Sequence, residues 1–167
     1  GITIDYGIPV SGLVNDGLNG DMDWTNSDST IEISWSGFID TVSGITSYEY
    51  AVGTTVGGTE TVSWTSASKL DSTVTISDLA LDNTTTYYIS VRAVDSVANV
   101  SSIATSDGFT LDMDLPSIYY VNEGSIATDL DIQNVDSILS SSWLGTDIIP
   151  GSGIDYYEIA LGTAAGD

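Results

Sequence analysis

The chain repeats itself. Residues 43–58, SGITSYEYAVGTTVGG, return at 152–167 as SGIDYYEIALGTAAGD. Ser43 matches Ser152, Ile45 matches Ile154, Tyr48 matches Tyr157, Glu49 matches Glu158, Ala51 matches Ala160 and Gly53 matches Gly162, all at an offset of 109 residues. A fixed offset of this size means an array of similar domains, because each unit must bury its own apolar face. Weaker echoes place the boundaries. Ile2, Ile4, Asp5 and Pro9 match Phe109, Leu111, Asp112 and Pro116 at an offset of 107. VNDG at 14–17 returns as VNEG at 121–124, Asp21 and Asp23 return as Asp129 and Asp131, and Trp35 returns as Trp143. Residues 1–8 therefore read as the closing strand of a preceding copy, 9–115 as one complete copy, and 116–167 as the first half of the next, about three strands. Pro9 and Pro116 suit the boundaries, since proline lacks the ladder donor. A half copy exposes its inner face and strand edges, so its completion is expected from a continuing chain or from a neighbouring one.

Within the complete copy the apolar period is two, never 3.6. Strands are expected over 10–14, 30–35, 47–54, 60–65, 72–77, 85–95 and 104–112. Alternate residues share a face in each: Ile31, Ile33 and Trp35; Tyr48, Tyr50 and Val52; Val62 and Trp64; Val74 and Ile76; Tyr87, Ile89, Val91 and Ala93. Residues 15–29 read as a long polar connection. Seven strands with turn signals between them describe an all-β, seven-stranded sandwich.

Charge narrows the function classes. Against 24 acidic residues stand only Lys69 and Arg92, for a net charge of −22. Two cations cannot neutralise a nucleic-acid backbone, and anionic lipid surfaces are disfavoured for the same reason. No apolar window is long enough to insert in a membrane. Histidine and cysteine are absent, which removes disulfides, thiolate metal sites and imidazole base chemistry. The acidity has two readings, solubility in a salty medium and divalent cations held by carboxylates.

The segment Leu81-Asp-Asn-Thr-Thr-Thr-Tyr87-Tyr-Ile-Ser-Val91-Arg-Ala93 resembles the penultimate-strand signature of fibronectin type III domains: a leucine six residues before a corner tyrosine, then alternating inward residues. Trp35 resembles the core tryptophan of the same family. The repeated SGI–YE–A–GT–GG stretch and the VNDG–DxD segment are similar to a bacterial variant found in tandem in very large surface proteins. Asn83 and Thr84 depart from the Pro-Gly that the family often has there. The resemblance implies tandem fibronectin type III-like sandwiches in an extracellular or cell-surface protein of adhesin type, serving as a spacer or binding module and not as an enzyme.

Candidate functional residues follow. Asp16, Asp21, Asp23, Asp40, Asp112 and Asp114, and with them Asp5, lie in loops or near the domain junctions. Irregular Asp/Asn loops suit Ca²⁺, which takes six to eight oxygens; the same residues also read as solvated carboxylates in Asx turns. No other cofactor is implied. Trp35, Tyr48, Leu81, Tyr87, Val91 and Trp143 read as core. Trp24, Trp64, Tyr119 and Tyr120 suit either edge packing or stacking on a surface glycan. The expected partners are neighbouring repeats of the same chain, or other copies in a filament. Asn83-Thr-Thr and Asn99-Val-Ser fit the N-glycosylation pattern.

Overall fold

A computed structural model describes residues 1–18, 20–124 and 137–163. Asp129 and Asp131 lie outside the described residues. The chain divides into two compact units, Gly1–Met113 and Asp114–Asp167, a division slightly ahead of the expected boundary at Leu115 and Pro116.

The first unit is an all-β sandwich. Its strands are β1 (Leu13–Asp16), β2 (Trp24–Thr25), β3 (Ile31–Ser36), β4 (Ile45–Gly53), β5 (Val62–Ser68), β6 (Thr73–Ile76), β7 (Thr86–Asp95), β8 (Ala104–Thr105) and β9 (Phe109–Leu111). One sheet has the order β1-β3-β6; the other runs β2-β9-β7-β4-β5, with β8 also on β7. Seven of these segments answer to the expected strands once β8 and β9 are taken together. The closing strand is split because Gly108, at φ +102°, breaks it. β2 is a short addition inside the long polar connection, pairing parallel to β9. Residues 1–9 carry no strand.

Alternation explains the core. Ile31, Ile33 and Trp35 of β3 point inward, as do Tyr87, Ile89, Val91 and Ala93 of β7. Each fully buried branched side chain contributes about 1.5–3 kcal/mol relative to exposure. Tyr48 packs on Trp35 at 5.4 Å between ring centroids and on Phe38 at 5.5 Å. Tyr87 stacks on Phe109 at 5.8 Å, and its hydroxyl accepts the Asp82 N–H at 2.8 Å. That bond satisfies the tyrosine's polar end while its ring fills the core beside Leu81.

Trp64 departs from the expected face. Tyr50 sits opposite Thr65 but Val52 sits opposite Val62, so β5 carries one extra residue in a bulge. The bulge inverts the alternation. Val62 and Ala67 pack on the core, while Trp64 turns to the outer face and lies under Arg92, 4.2 Å from the guanidinium to the ring centroid. Arg92 in turn donates to Glu49 at 2.7 Å.

The second unit contains β10 (Ser117–Glu123) and β11 (Ser141–Thr146), paired antiparallel. Val121 sits opposite Trp143 as Val14 sits opposite Trp35. The third expected strand is not formed over residues 151–163. In the first unit its equivalent, β4, is hydrogen-bonded on both sides, by β5 and β7; among the described residues the second unit has no counterpart of either. For the same reason Trp143 is half-buried, against the core position expected of it.

Candidate functional site

Two carboxylate clusters stand out in the first unit, and the fold builds them differently. Asp16 ends β1 two residues after Val14, so the strand period turns it to the inner face. It is 1% exposed. The Ser106-Asp107-Gly108 turn between β8 and β9 passes beside it. The positive φ of Gly108 aims its N–H at Asp16 Oδ2, 3.0 Å away, and a Cβ there would meet the Tyr88 ring at 2.8 Å. From the β1–β2 loop, Asp21 Oδ1 approaches the Asp16 N–H at 3.4 Å. Carboxylate oxygens of Asp16, Asp21 and Asp107 lie within 4.8 Å of one another. Asp16 Oδ1 is buried and has no hydrogen-bond partner. Burial pushes the Asp16 carboxyl up from 3.8 to about 6; Asp21 and Asp107 push the same way, against the Ser106 hydroxyl and the Gly108 N–H.

The other cluster joins Asp5, Asp40 and Asp95. Here the oxygens are mostly occupied by the chain itself. Asp40 Oδ1 accepts the N–H groups of Val42, Ser43 and Gly44 at 3.0, 2.8 and 2.7 Å. Asp95 Oδ1 accepts from Val97 and Asn99, and Oδ2 from the Asn99 side chain. Burial raises the Asp95 carboxyl, but the bonds from Asn99 and Val97 outweigh it and hold the group below its ordinary value. Asn99 Nδ2 also donates to the Gly7 carbonyl at 2.9 Å, so this sequon asparagine is engaged in tying the N-terminal segment down. Asn83, the other sequon residue, accepts the Met113 N–H at 2.9 Å.

Of the seven acidic residues singled out in the sequence, the structure brings Asp16 and Asp21 together and places Asp5 and Asp40 in the other cluster. Asp23 is exposed, and its carbonyl accepts the Thr110 N–H that seats β2 on β9. Asp112 is buried next to that pairing, donating its N–H to the Thr25 carbonyl. Neither they nor Asp114 join a cluster among the described residues. Asp107 and Asp95 were the members missed. An Asp-Gly pair inside an apparent strand signals a bulge, and an Asp at the last position of a strand signals an Asx turn.

The Gly-rich turn of the repeated stretch closes over Glu60. Its Oε1 accepts the Thr54 N–H and hydroxyl at 2.6 and 2.7 Å, and Oε2 accepts the Thr59 N–H at 2.8 Å. These bonds hold the Glu60 carboxyl down at about 2. A Cβ on Gly53 would meet Gly58 backbone at 2.5 Å, which explains why the motif needs glycine.

No protein-family model matches the chain, and no curated protein matches it. Solved structures do. One is the chicken CNTN1 FN1-FN3 domains, at 15% identity and TM-score 0.46 over 70% of this chain and 38% of that one. Another is the twitchin kinase region from C. elegans, at 17% identity and TM-score 0.45 over 64% of this chain and 17% of that one. An alpha-L-rhamnosidase from Dictyoglumus thermophilum aligns at 14% identity and TM-score 0.43 over 71% of this chain and 15% of that one. The chain thus spans well under half the length of each of these three structures. Sheet order, core and the Tyr87 corner make the first unit a fibronectin type III-like β-sandwich.

Proposed function

We propose that this chain is a spacer segment of a long extracellular repeat protein, of the bacterial cell-surface or adhesin type, with no catalytic role. The observation that carries this reading is one local plan, a tryptophan strand pair with its following loop and tyrosine, built twice. The Trp35–Tyr48 ring pair recurs as Trp143–Tyr157 at 5.8 Å. The loop clamp from the Gly44 N–H to Asp40 recurs as Gly153 N–H to Asp147 at 2.8 Å. Rebuilding one plan in tandem adds length, since such arrays are governed by nearest-neighbour contacts. The described residues contain no helix long and apolar enough to cross a membrane.

Small-angle scattering tests the spacer role. Duplicating residues 9–115 in tandem within the 167-residue chain should lengthen its maximum dimension by roughly 35–45 Å, the height of one sandwich. An unchanged maximum dimension means collapse and ends the reading.

Two other readings have their own observations. Trp24 is 36% exposed on the short strand β2, which favours glycan or protein binding; Trp64 is a poorer stacking platform because Arg92 covers one ring face. A glycan array with the whole chain separates this from a pure spacer, which gives no hits. The second unit exposes Ile118, Val121, Leu144, Ile159 and Leu161, which favours assembly with other copies by strand exchange. Concentration-dependent association on size exclusion supports that reading; a monomer at all concentrations removes it.

A further inference from the structure

We propose that Asp16, Asp21 and Asp107 bind one Ca²⁺ ion, which ties the β1–β2 loop to the β8–β9 turn along the edge of the sandwich. The inference is independent of the spacer reading.

Three observations converge on it. The first is spacing. Ca²⁺ holds oxygens at about 2.3–2.6 Å, so two ligands across the ion stand at most about 5 Å apart. The three carboxylates, with oxygens within 4.8 Å of one another, fit inside that limit. Mg²⁺ needs about 2.0–2.1 Å and near-ideal octahedral geometry, and it keeps its waters. The second is the state of Asp16. The residue is 1% exposed and its Oδ1 has no hydrogen-bond partner. A sealed, unpartnered carboxylate oxygen is expensive, and a bound cation is what such a group ordinarily faces. The third is the shortage of counter-charge. Lys69 and Arg92 are the only basic side chains. Arg92 is committed to Glu49 and Trp64, and Lys69 lies in the turn after β5.

The donor set selects the metal. All three ligands are hard oxygens, the class that takes Ca²⁺ in preference to softer transition metals. Asp21 and Asp107 are exposed, which leaves room for the waters that complete the coordination shell. The Asp5–Asp40–Asp95 cluster serves as an internal control. There Asp5 Oδ2 is likewise buried without a partner, but Asp40 Oδ1 and both Asp95 oxygens already accept N–H groups, so the chain itself occupies the oxygens a cation would need.

Calorimetric titration of the EDTA-stripped 167-residue chain with CaCl₂, alongside thermal unfolding, decides the matter. The expected result is one Ca²⁺ per chain and a rise in Tm, since a ligand that binds only the folded state stabilises it. Asp21→Asn and Asp107→Asn, at exposed positions that leave the fold intact, should each weaken Ca²⁺ by at least about tenfold, because affinity follows the ligand charge count. Asp40→Asn should leave Ca²⁺ affinity unchanged. MgCl₂ at equal concentration should give a much smaller Tm shift. The proposal is overturned if no Tm shift appears up to about 10 mM Ca²⁺, above the usual range of extracellular modules. It is equally overturned if Mg²⁺ matches Ca²⁺, or if Asp40→Asn weakens binding as much as the other two, since both results mean diffuse screening of the net charge.

Discussion

Tyr48 and Tyr157 occupy the same position of one repeat, and each packs on the tryptophan of its own unit, at 5.4 and 5.8 Å. Around the first pair the core is sealed and Trp35 is 4% exposed. Around the second, Trp143 is half-buried and Tyr157 is 42% exposed. The local contact therefore forms without the layer that would cover it. What differs is hydrogen bonding and closure: β4 has a partner on each side, while residues 151–163 have no ladder at all. Ring packing is short-range and chosen by the β-strand carrying the tryptophan. Strand identity is a property of the whole sheet.

Substitution of the two tryptophans should expose this difference most strongly. Trp35→Ala is expected to cost about 3–5 kcal/mol, as for a large aromatic removed from a closed core. Trp143→Ala should cost about 1 kcal/mol or less, since a half-buried ring leaves little cavity. Denaturant unfolding followed by tryptophan fluorescence measures both. Equal losses mean that the second unit is as closed as the first.

A smaller contrast concerns Asp16 and its equivalent, Glu123. Folding raises the Asp16 carboxyl from 3.8 to about 6. Its contribution to stability is therefore complete below pH 3.8 and is lost as pH climbs through about 6. In EDTA, Asp16→Asn should match the unmodified chain at pH 3.5 and exceed it by up to about 3 kcal/mol at pH 8, at about 1.4 kcal/mol per pKa unit. Glu123 is exposed, and Glu123→Gln should change stability by less than about 0.5 kcal/mol. Urea midpoints across this pH range give the answer; a gain from Asp16→Asn that does not depend on pH rules out the burial account.

The smallest contrast lies in the loop clamps. Asp40 accepts the Ser43 and Gly44 N–H groups in partly buried bonds, whereas the bonds that Asp147 accepts from Ile148 and Gly153 are exposed. Asp40→Ala should cost about 1–2 kcal/mol and Asp147→Ala about half that, in keeping with net hydrogen-bond values. Hydrogen exchange at Gly44 and Gly153 reads each loop separately. Faster exchange at Gly153 alone, with Gly44 unmoved by Asp40→Ala, removes the clamp from the first unit.

Much of the architecture was readable in advance. Period-two alternation marked β3 and β7, and the Leu81–Tyr87 spacing anticipated a corner that the Asp82 N–H completes. Trp64 was misplaced because one inserted residue in β5 reverses every side chain beyond it, and a bulge leaves almost no trace in a hydrophobic pattern. The carboxylate site was only half legible. Asp16 and Asp21 are close in the chain, but Asp107 reaches them from a turn 91 residues after Asp16.

By itself the sequence determined that this chain is all-strand and repeats part of its own plan, rich in carboxylates and nearly without basic residues. Those properties follow from periodicity and composition, which each segment carries locally. Only the tertiary structure decided which carboxylates meet, which of them is sealed from water, and which repeat of the tyrosine strand becomes a strand. Each of those depends on what a distant part of the chain places alongside, and hydrogen-bond partners and burial are supplied by neighbours in space.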